Sequence, residues 1–446
     1  MEKRLRYLLG TMWFITLFAS LNINMMNLGI PQIAQAFSLD SAEASWITSG
    51  FVLFTGLAAI TFGKLSDIFP TRHLMTVGIG FLFIGSIIGI LSQHFWVAIF
   101  ARIVQGAGAG SFFAVSMVMT TKFYPPERRG MIIGILMSSI TFGAGFGPLV
   151  GGYLTQLFNW RVLFALSLLS IVALPFLWRL TPEEAKGQGR MDFAGAFFTL
   201  LSVLFLLLSI QISGWLLLLS VVFILLMVWH SRRKKEPFFR VGIFKNIPYS
   251  MTALMVFILN LCHIAALFVL PLMLINANGL SEGWAGLIIF PGAALSAFFG
   301  GPIGRLTDRL GSLKVIPWAT VAMSIPLLLI STFAGQSVIW IMLAVLIEYI
   351  AYSINQVSIF GLTSHVLAPH EAGAGMGMVN LFLYIGMAAG TAMFGRFLTL
   401  DMGKWNPLND STYISYSNAF LVLGLLTLTT MIVAFITKKE SQAQEV

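Results

Sequence analysis

The feature that most constrains this chain is a succession of about fourteen apolar runs. Each approaches the roughly 20 residues that a helix needs to cross the hydrocarbon core of a bilayer. The runs fall near 8–37, 44–62, 74–91, 95–121, 131–157, 160–178, 193–212, 215–229, 249–276, 284–301, 315–333, 338–364, 373–397 and 415–436. The eighth is the shortest. Hydrophobic residues fill 58% of 446 positions and charged ones 10%, an imbalance that makes lipid the solvent for most of the surface. The net charge of +9 sits in short clusters between the runs. That distribution fits helix ends at an anionic membrane face and argues against nucleic acid as a partner. The expectation is an all-α polytopic membrane protein. A single cysteine, Cys262, excludes a disulfide within the chain. The first run follows Lys3, Arg4 and Arg6 as a signal peptide would, but it continues without a small-residue cleavage pattern, so it reads as a retained span.

Basic residues test the count independently, because an even number of spans that starts inside places every second loop inside. Of 26 Lys and Arg, 22 lie at the termini or after an even-numbered span; Arg102, Arg161, Arg396 and Lys404 are the exceptions. The reading is a multi-pass protein of a bacterial plasma membrane with both termini cytoplasmic. An internal repeat divides it. Gly63-Lys64-Leu65-Ser66-Asp67 follows span two, and Gly304-Arg305-Leu306-Thr307-Asp308 follows span ten at an offset of 241. Both copies occupy one topological place, as in transporters built from two similar halves around a midplane site. This gives an N-terminal six-helix bundle over 1–185, an inserted helix pair over 186–231, and a C-terminal six-helix bundle over 232–446.

Span five carries Gly134, Gly143, Gly147, Pro148, Gly151 and Gly152. Small residues let membrane helices approach closely, but this spacing about a proline also resembles the antiporter signature of drug exporters of the major facilitator superfamily. Gly63, Leu65, Ser66, Asp67 and Arg72 resemble that superfamily's loop signature, with Gly304 to Gly311 its second copy. Arg102, Gln105, Gly106, Gly108 and Ala109 resemble its helix-four signature, and Asp192 with Gly195 its fourteen-helix branch. Lys245-Asn246-Ile247-Pro248 and Glu371 to Met376 are similar to class K and L tetracycline/proton efflux proteins, and equally to staphylococcal multidrug efflux proteins. The resemblance spans nearly the whole chain. It implies the major facilitator fold and proton-coupled export of small lipophilic drugs by a protein functional as a monomer. There are departures. Pro70 stands where the family usually has Gly and Ile68 where it is usually basic. Asn22, Asn24 and Asn27 occupy a stretch of span one that usually holds a carboxylate, and Met387 aligns with a glutamate of tetracycline exporters. A dedicated tetracycline carrier is therefore the alternative rather than the first reading.

An ionisable group inside a span is a functional candidate by default. Glu348 is the one carboxylate deep within a run, with Tyr352 and Asn355 on its helical face at i+4 and i+7. A carboxylate away from water is costly to keep charged and unpaired, so a proton and a drug's cationic group compete for it. Glu348 is thus the expected proton-coupling residue, with Asp40 and Glu43 at the outer mouth as second candidates. His263 lies at similar depth in span nine and corresponds to Asn22 by the repeat offset. The resemblance makes spans one, four, nine and twelve cavity-lining, which adds Asn22, Asn24, Arg102, Gln105, His263, Tyr352 and Asn355 to Glu348 as substrate-binding candidates, with Arg102 acting on Glu348 or a water chain or serving as a structural arginine. Asp67, Arg72 and Asp308 form a candidate conformational latch: a carboxylate near a helix N-terminus can be held by its dipole in one state and released in the other. No G-x4-G-K-[ST] loop or His-Glu-x-x-His pair occurs. The sequence gives no sign of an ATP-driven pump, an enzyme, a metal site or a cofactor.

Overall fold

The computed structural model describes residues 3–66, 68–184, 191–234, 237–367, 372–409 and 412–444. All fourteen expected segments are helical. They are α1 (Lys3–Phe37), α2 (Ser41–Leu65), α3 (Thr71–Ile90), α4 (Phe95–Phe123), α5 (Pro126–Leu157) and α6 (Arg161–Leu180), then α7 (Phe193–Gln211) and α8 (Leu216–Arg233). After them come α9 (Ile247–Asn276), α10 (Glu282–Leu310), α11 (Ser312–Phe333), α12 (Val338–Val366), α13 (Ala372–Phe397) and α14 (Ile414–Gln444). Among the described residues, thirteen are long and apolar enough to cross a membrane, and α10 joins them by its 29-residue length.

The helices outrun the apolar segments for physical reasons. The first begins at Lys3 rather than near residue 8, because a helix continues into the headgroup region where Lys3, Arg4 and Arg6 are at home. The eighth, expected to stop at 229, runs to Arg233: His230, Arg232 and Arg233 occupy its last turn, where positive charge favours the helix C-terminus. A 3-10 turn over Leu168–Val172 interrupts the sixth.

Within the first six helices α5 packs on α1, and α4 on α2 and α3; in the last six, α13 and α14 pack on α9, and α12 on α10 and α11. The two sets meet along α5–α10 and α2–α13, with α1 touching α9 between them. The inserted helices pack on each other, and α7 leans on α13 and α2 across that seam. Their environments differ sharply: 83% of the apolar window of α9 is buried against 17% for α8, so α9 is core and α8 faces lipid.

The glycines of α5 explain how three helices crowd together. A Cβ at Gly143 would stand 2.6 Å from the Ser20 side chain, and one at Gly147 the same distance from Asn24, so this face of α5 presses bare backbone on α1. A second face meets α10: a Cβ at Gly152 would stand 2.4 Å from the Glu282 carbonyl and one at Gly145 3.3 Å from Ala294, and a Cβ at Gly286 would stand 2.4 Å from the Pro148 carbonyl. Gly151 also meets α1, at Met25.

We call the end that carries the α1–α2 connection the far end, and the end that carries Lys3 the near end. The far end is knitted across the seam. Gln32 Nε2 donates to Glu282 Oε1 at 3.1 Å, the Gly283 N–H to Gln156 Oε1 at 3.1 Å, and Ser49 Oγ to the Ala388 carbonyl at 3.2 Å. At the near end Lys64 Nζ donates to the Pro237 carbonyl at 2.6 Å and lies over the Phe238 ring.

Candidate functional site

Each half buries a charged side chain in the corresponding helix, Arg102 in α4 and Glu348 in α12. In the first six helices, Arg102 of α4 is fully buried. Its Nη1 donates to Asn22 Oδ1 and, at 3.0 Å, to Gln105 Oε1; its Nε donates to the Ile47 carbonyl at 3.1 Å. The guanidinium carbon stands 4.0 Å from the centroid of Phe51. Gln105 donates to Ser86 at 2.9 Å and Asn22 to Ser167 at 2.6 Å, so the network links α1, α2, α3, α4 and α6. Its contacts stay within this half. Of the roles open to Arg102, acting on Glu348 or a water chain or serving as a structural arginine, its bonds to Asn22, Gln105 and a backbone carbonyl fit the last.

In the last six helices, Glu348 of α12 is buried and its Oε1 lies 2.8 Å from Nδ1 of His263 on α9. The imidazole stacks on Tyr352 with centroids 3.6 Å apart at 10°, and meets Tyr349 edge-on at 5.2 Å. Stacking on one side and an edge contact on the other fix the ring plane, which aims Nδ1 at the carboxylate. Tyr352 donates to Asn260 Oδ1 at 2.8 Å and accepts from Gln356 Nε2 at 2.9 Å. Of the expected residues, the structure brings Glu348, His263 and Tyr352 together. Asn355 turns to α11, where it accepts from Thr320 at 3.2 Å.

Between the halves a narrow cleft is lined by Asn24, Asn27, Leu28, Pro148, Ile289 and Tyr349. A second, at Glu348 and Tyr349, is lined by apolar residues including Leu270, Leu327 and Phe420. Both clefts are narrow, well short of the roughly 300 Å³ of a drug-sized pocket. Asn24 reaches the first cleft while donating to the Ser20 carbonyl at 2.8 Å.

The remaining candidates stand elsewhere. Asp40 and Glu43 form a capping box at the start of α2: Asp40 accepts from the Glu43 N–H at 2.7 Å, and Glu43 accepts from the Asp40 N–H at 3.1 Å. Asp67 lies outside the described residues, as do the side chain of Asp308 and the surroundings of Gly134. Arg72 lies over the Trp178 ring at 4.6 Å.

Sequence reasoning missed Tyr349, Asn260 and Gln356. Gln356 carried a signal, standing four residues beyond Tyr352 on the same face. It also missed a junction at the near end. Asp192 caps α7 and accepts from the Gly195 N–H at 3.1 Å, from the Phe238 N–H at 2.9 Å, and from His230 of α8 at 2.7 Å. Burial alone would raise its pKa, but the His230 bond and the two backbone donors outweigh it, and the net direction is downward.

Two six-helix sets that meet along bare-backbone seams, with a buried acid–imidazole pair between α9 and α12, have the architecture of transporters built from two similar halves. The family model described as Major Facilitator Superfamily matches residues 12–391 and 252–446. The chain belongs to that superfamily. Similar curated proteins include an uncharacterized MFS-type transporter, YcnB, of Bacillus subtilis, 24% identical over 96% of this chain and 94% of that one. The lincomycin resistance protein LmrB of Listeria monocytogenes is 27% identical over 85% of this chain and 83% of that one. The riboflavin transporter RibZ of Clostridioides difficile is 22% identical over 90% of each. Among solved structures, a peptide transporter POT in complex with sulfate gives a TM-score of 0.71 at 16% identity, over 96% of this chain and 93% of that one. A bacterial homologue of the human lysosomal transporter Spinster, inward-facing, gives 0.69 at 16% identity over 99% and 96%. These structures share the fold.

Proposed function

We propose that this protein is a proton-coupled antiporter that exports lipophilic cationic or zwitterionic drugs by alternating access. The observation that carries the reading is the buried Glu348–His263 pair between α12 and α9. A carboxylate there needs a positive partner or a proton, and the imidazole is a partner that can be displaced. In one half-cycle Glu348 holds a proton; in the other it holds the cationic group of the drug. Exchange at one carboxylate couples the two flows, because the site cannot carry both at once. Asp40 and Glu43, engaged in capping α2, are second candidates for the proton. The proline-centred glycine faces of α5 serve the rocking of the halves, and the sealed far end with its hydrogen bonds is the outer gate in its closed state. The near end is then the cytoplasmic one, in keeping with its basic residues. Arg72, with Asp67 and Asp308, is the latch at that end. The six-helix sets 1–185 and 232–446 are the moving bodies, and 186–231 the pair inserted between them. Resistance to lincomycin in a relative supports a drug as cargo. A dedicated tetracycline carrier is the alternative, and Met387, buried in α13 without a charge, weighs against it.

The test is uptake of ethidium and norfloxacin into inverted membrane vesicles, with tetracycline as comparison. Glu348→Gln should abolish accumulation driven by a proton gradient while the protein still inserts and purifies. Undiminished gradient-driven accumulation by this variant sinks the proton-exchange reading; accumulation of tetracycline alone by the wild type selects the alternative.

A further inference from the structure

Tyr349 follows Glu348 directly, yet its environment is its own. The side chain is 4% exposed, and its hydroxyl has no hydrogen-bond partner, although its ring packs edge-on against His263. A buried hydroxyl left unpaired costs roughly 1–3 kcal/mol, and phenylalanine would give the same packing without that cost. Neighbouring Tyr352 shows what a structural tyrosine does here, with both Asn260 and Gln356 on its oxygen. Tyr349 also lines both clefts, the apolar one at Glu348 and the one that crosses to Asn24, Asn27 and Pro148 of the other half. Tyr349 therefore stands beside the path of a molecule bound at the Glu348 carboxylate and spanning both halves.

We propose that the Tyr349 hydroxyl selects the cargo by donating a hydrogen bond to it. The site then takes a lipophilic cation or zwitterion that carries a neutral acceptor, such as a carbonyl oxygen, on the body of the molecule beside its charged centre. This deepens the export reading and rests on it. Glu348 answers the charge, the clefts' Leu and Phe side chains cover the apolar body, and Tyr349 discriminates among molecules that satisfy both. A site with a buried hydrogen-bonding group to fill favours ligands that fill it.

The experiment compares two probes in inverted vesicles: tetraphenylphosphonium, a lipophilic cation with no hydrogen-bonding group, and norfloxacin, a zwitterion with a ring carbonyl. Tyr349→Phe should raise the KM for norfloxacin about tenfold and change that for tetraphenylphosphonium less than twofold, with the thermal midpoint of the purified protein unchanged or raised. Tyr352→Phe is the control, expected to lower the midpoint and to affect both probes alike. Equal effects of Tyr349→Phe on the two probes, no effect on norfloxacin, or a lowered midpoint would each overturn the proposal. A wild-type protein that moves tetraphenylphosphonium but not norfloxacin overturns the selectivity and leaves export standing. One that moves neither overturns export itself before any substitution is made, and the proposal with it.

Discussion

Arg102 and Glu348 sit in corresponding helices of the two halves, and their surroundings could hardly differ more. The arginine gives its donors to an asparagine, a glutamine and a backbone carbonyl, and its plane lies over an aromatic ring. The glutamate has an imidazole at one oxygen, held in place by two tyrosines, one of which leaves its own hydroxyl unused. The arginine is enclosed by neutral groups that are themselves anchored, Asn22 on Ser167 and Gln105 on Ser86. A charge whose partner can itself gain or lose a proton is available for exchange. The fold repeats; the chemistry does not.

Substitutions can break this contrast. Arg102→Met is expected to have the largest effect. It strands the acceptors of Asn22, Gln105 and Ile47, each at roughly 1–3 kcal/mol, and should cost about 3 kcal/mol or more in the unfolding of the purified protein. A Met variant of wild-type stability would show that the network is not structural. His263→Phe keeps a ring between the tyrosines and removes the partner of Glu348. A charge-assisted hydrogen bond is worth about 1.5–3 kcal/mol, so gradient-driven transport should fall tenfold or more, with a smaller loss of stability than in Arg102→Met. Equal transport by this variant would make His263 a packing residue.

Asp192 sharpens the comparison from outside the membrane core, as an acid–imidazole pair with extra backbone donors. Its folded-state pKa is lowered. The stability it contributes is therefore present above its unfolded value and lost as pH falls through the folded one. Asp192→Asn should lower stability by about 1 kcal/mol at neutral pH, as the loss of a helix cap does. The difference between variant and wild type should shrink below about pH 4, where the carboxylate of the unfolded chain takes up its proton. A difference that persists unchanged in acid would mean that the charge of Asp192 plays no part.

Much of the fold was legible because lipid imposes a simple rule on sequence. Apolar runs of span length located all fourteen helices. Helix ends were less legible, since Lys3 to Arg6 and His230 to Arg233 are helical without being apolar. At the site, Glu348 stood out as a lone acid in an apolar run, and His263 by its depth. That these two pair, and that Arg102 instead joins Asn22, depends on how α9 meets α12 and α1 meets α4. Periodicity within one helix says nothing of that. Tyr349 was invisible for a different reason: a tyrosine in an apolar helix looks like packing, and an unpaired hydroxyl exists only once every neighbour has been placed.

The junction at Asp192 bears on whether α7 and α8 could be removed from this chain. On paper, α7 and α8 are a cassette that could be cut out and the ends rejoined. The carboxylate that opens the cassette also receives the Phe238 N–H from the chain that follows it, next to the Pro237 carbonyl that takes the Lys64 ammonium of α2. Excision would leave both groups to find new anchors. A shortened derivative would need a replacement acceptor for Phe238 and a connector that still delivers Pro237 to Lys64, so α7 and α8 are tied into the chain that follows them rather than standing apart from it.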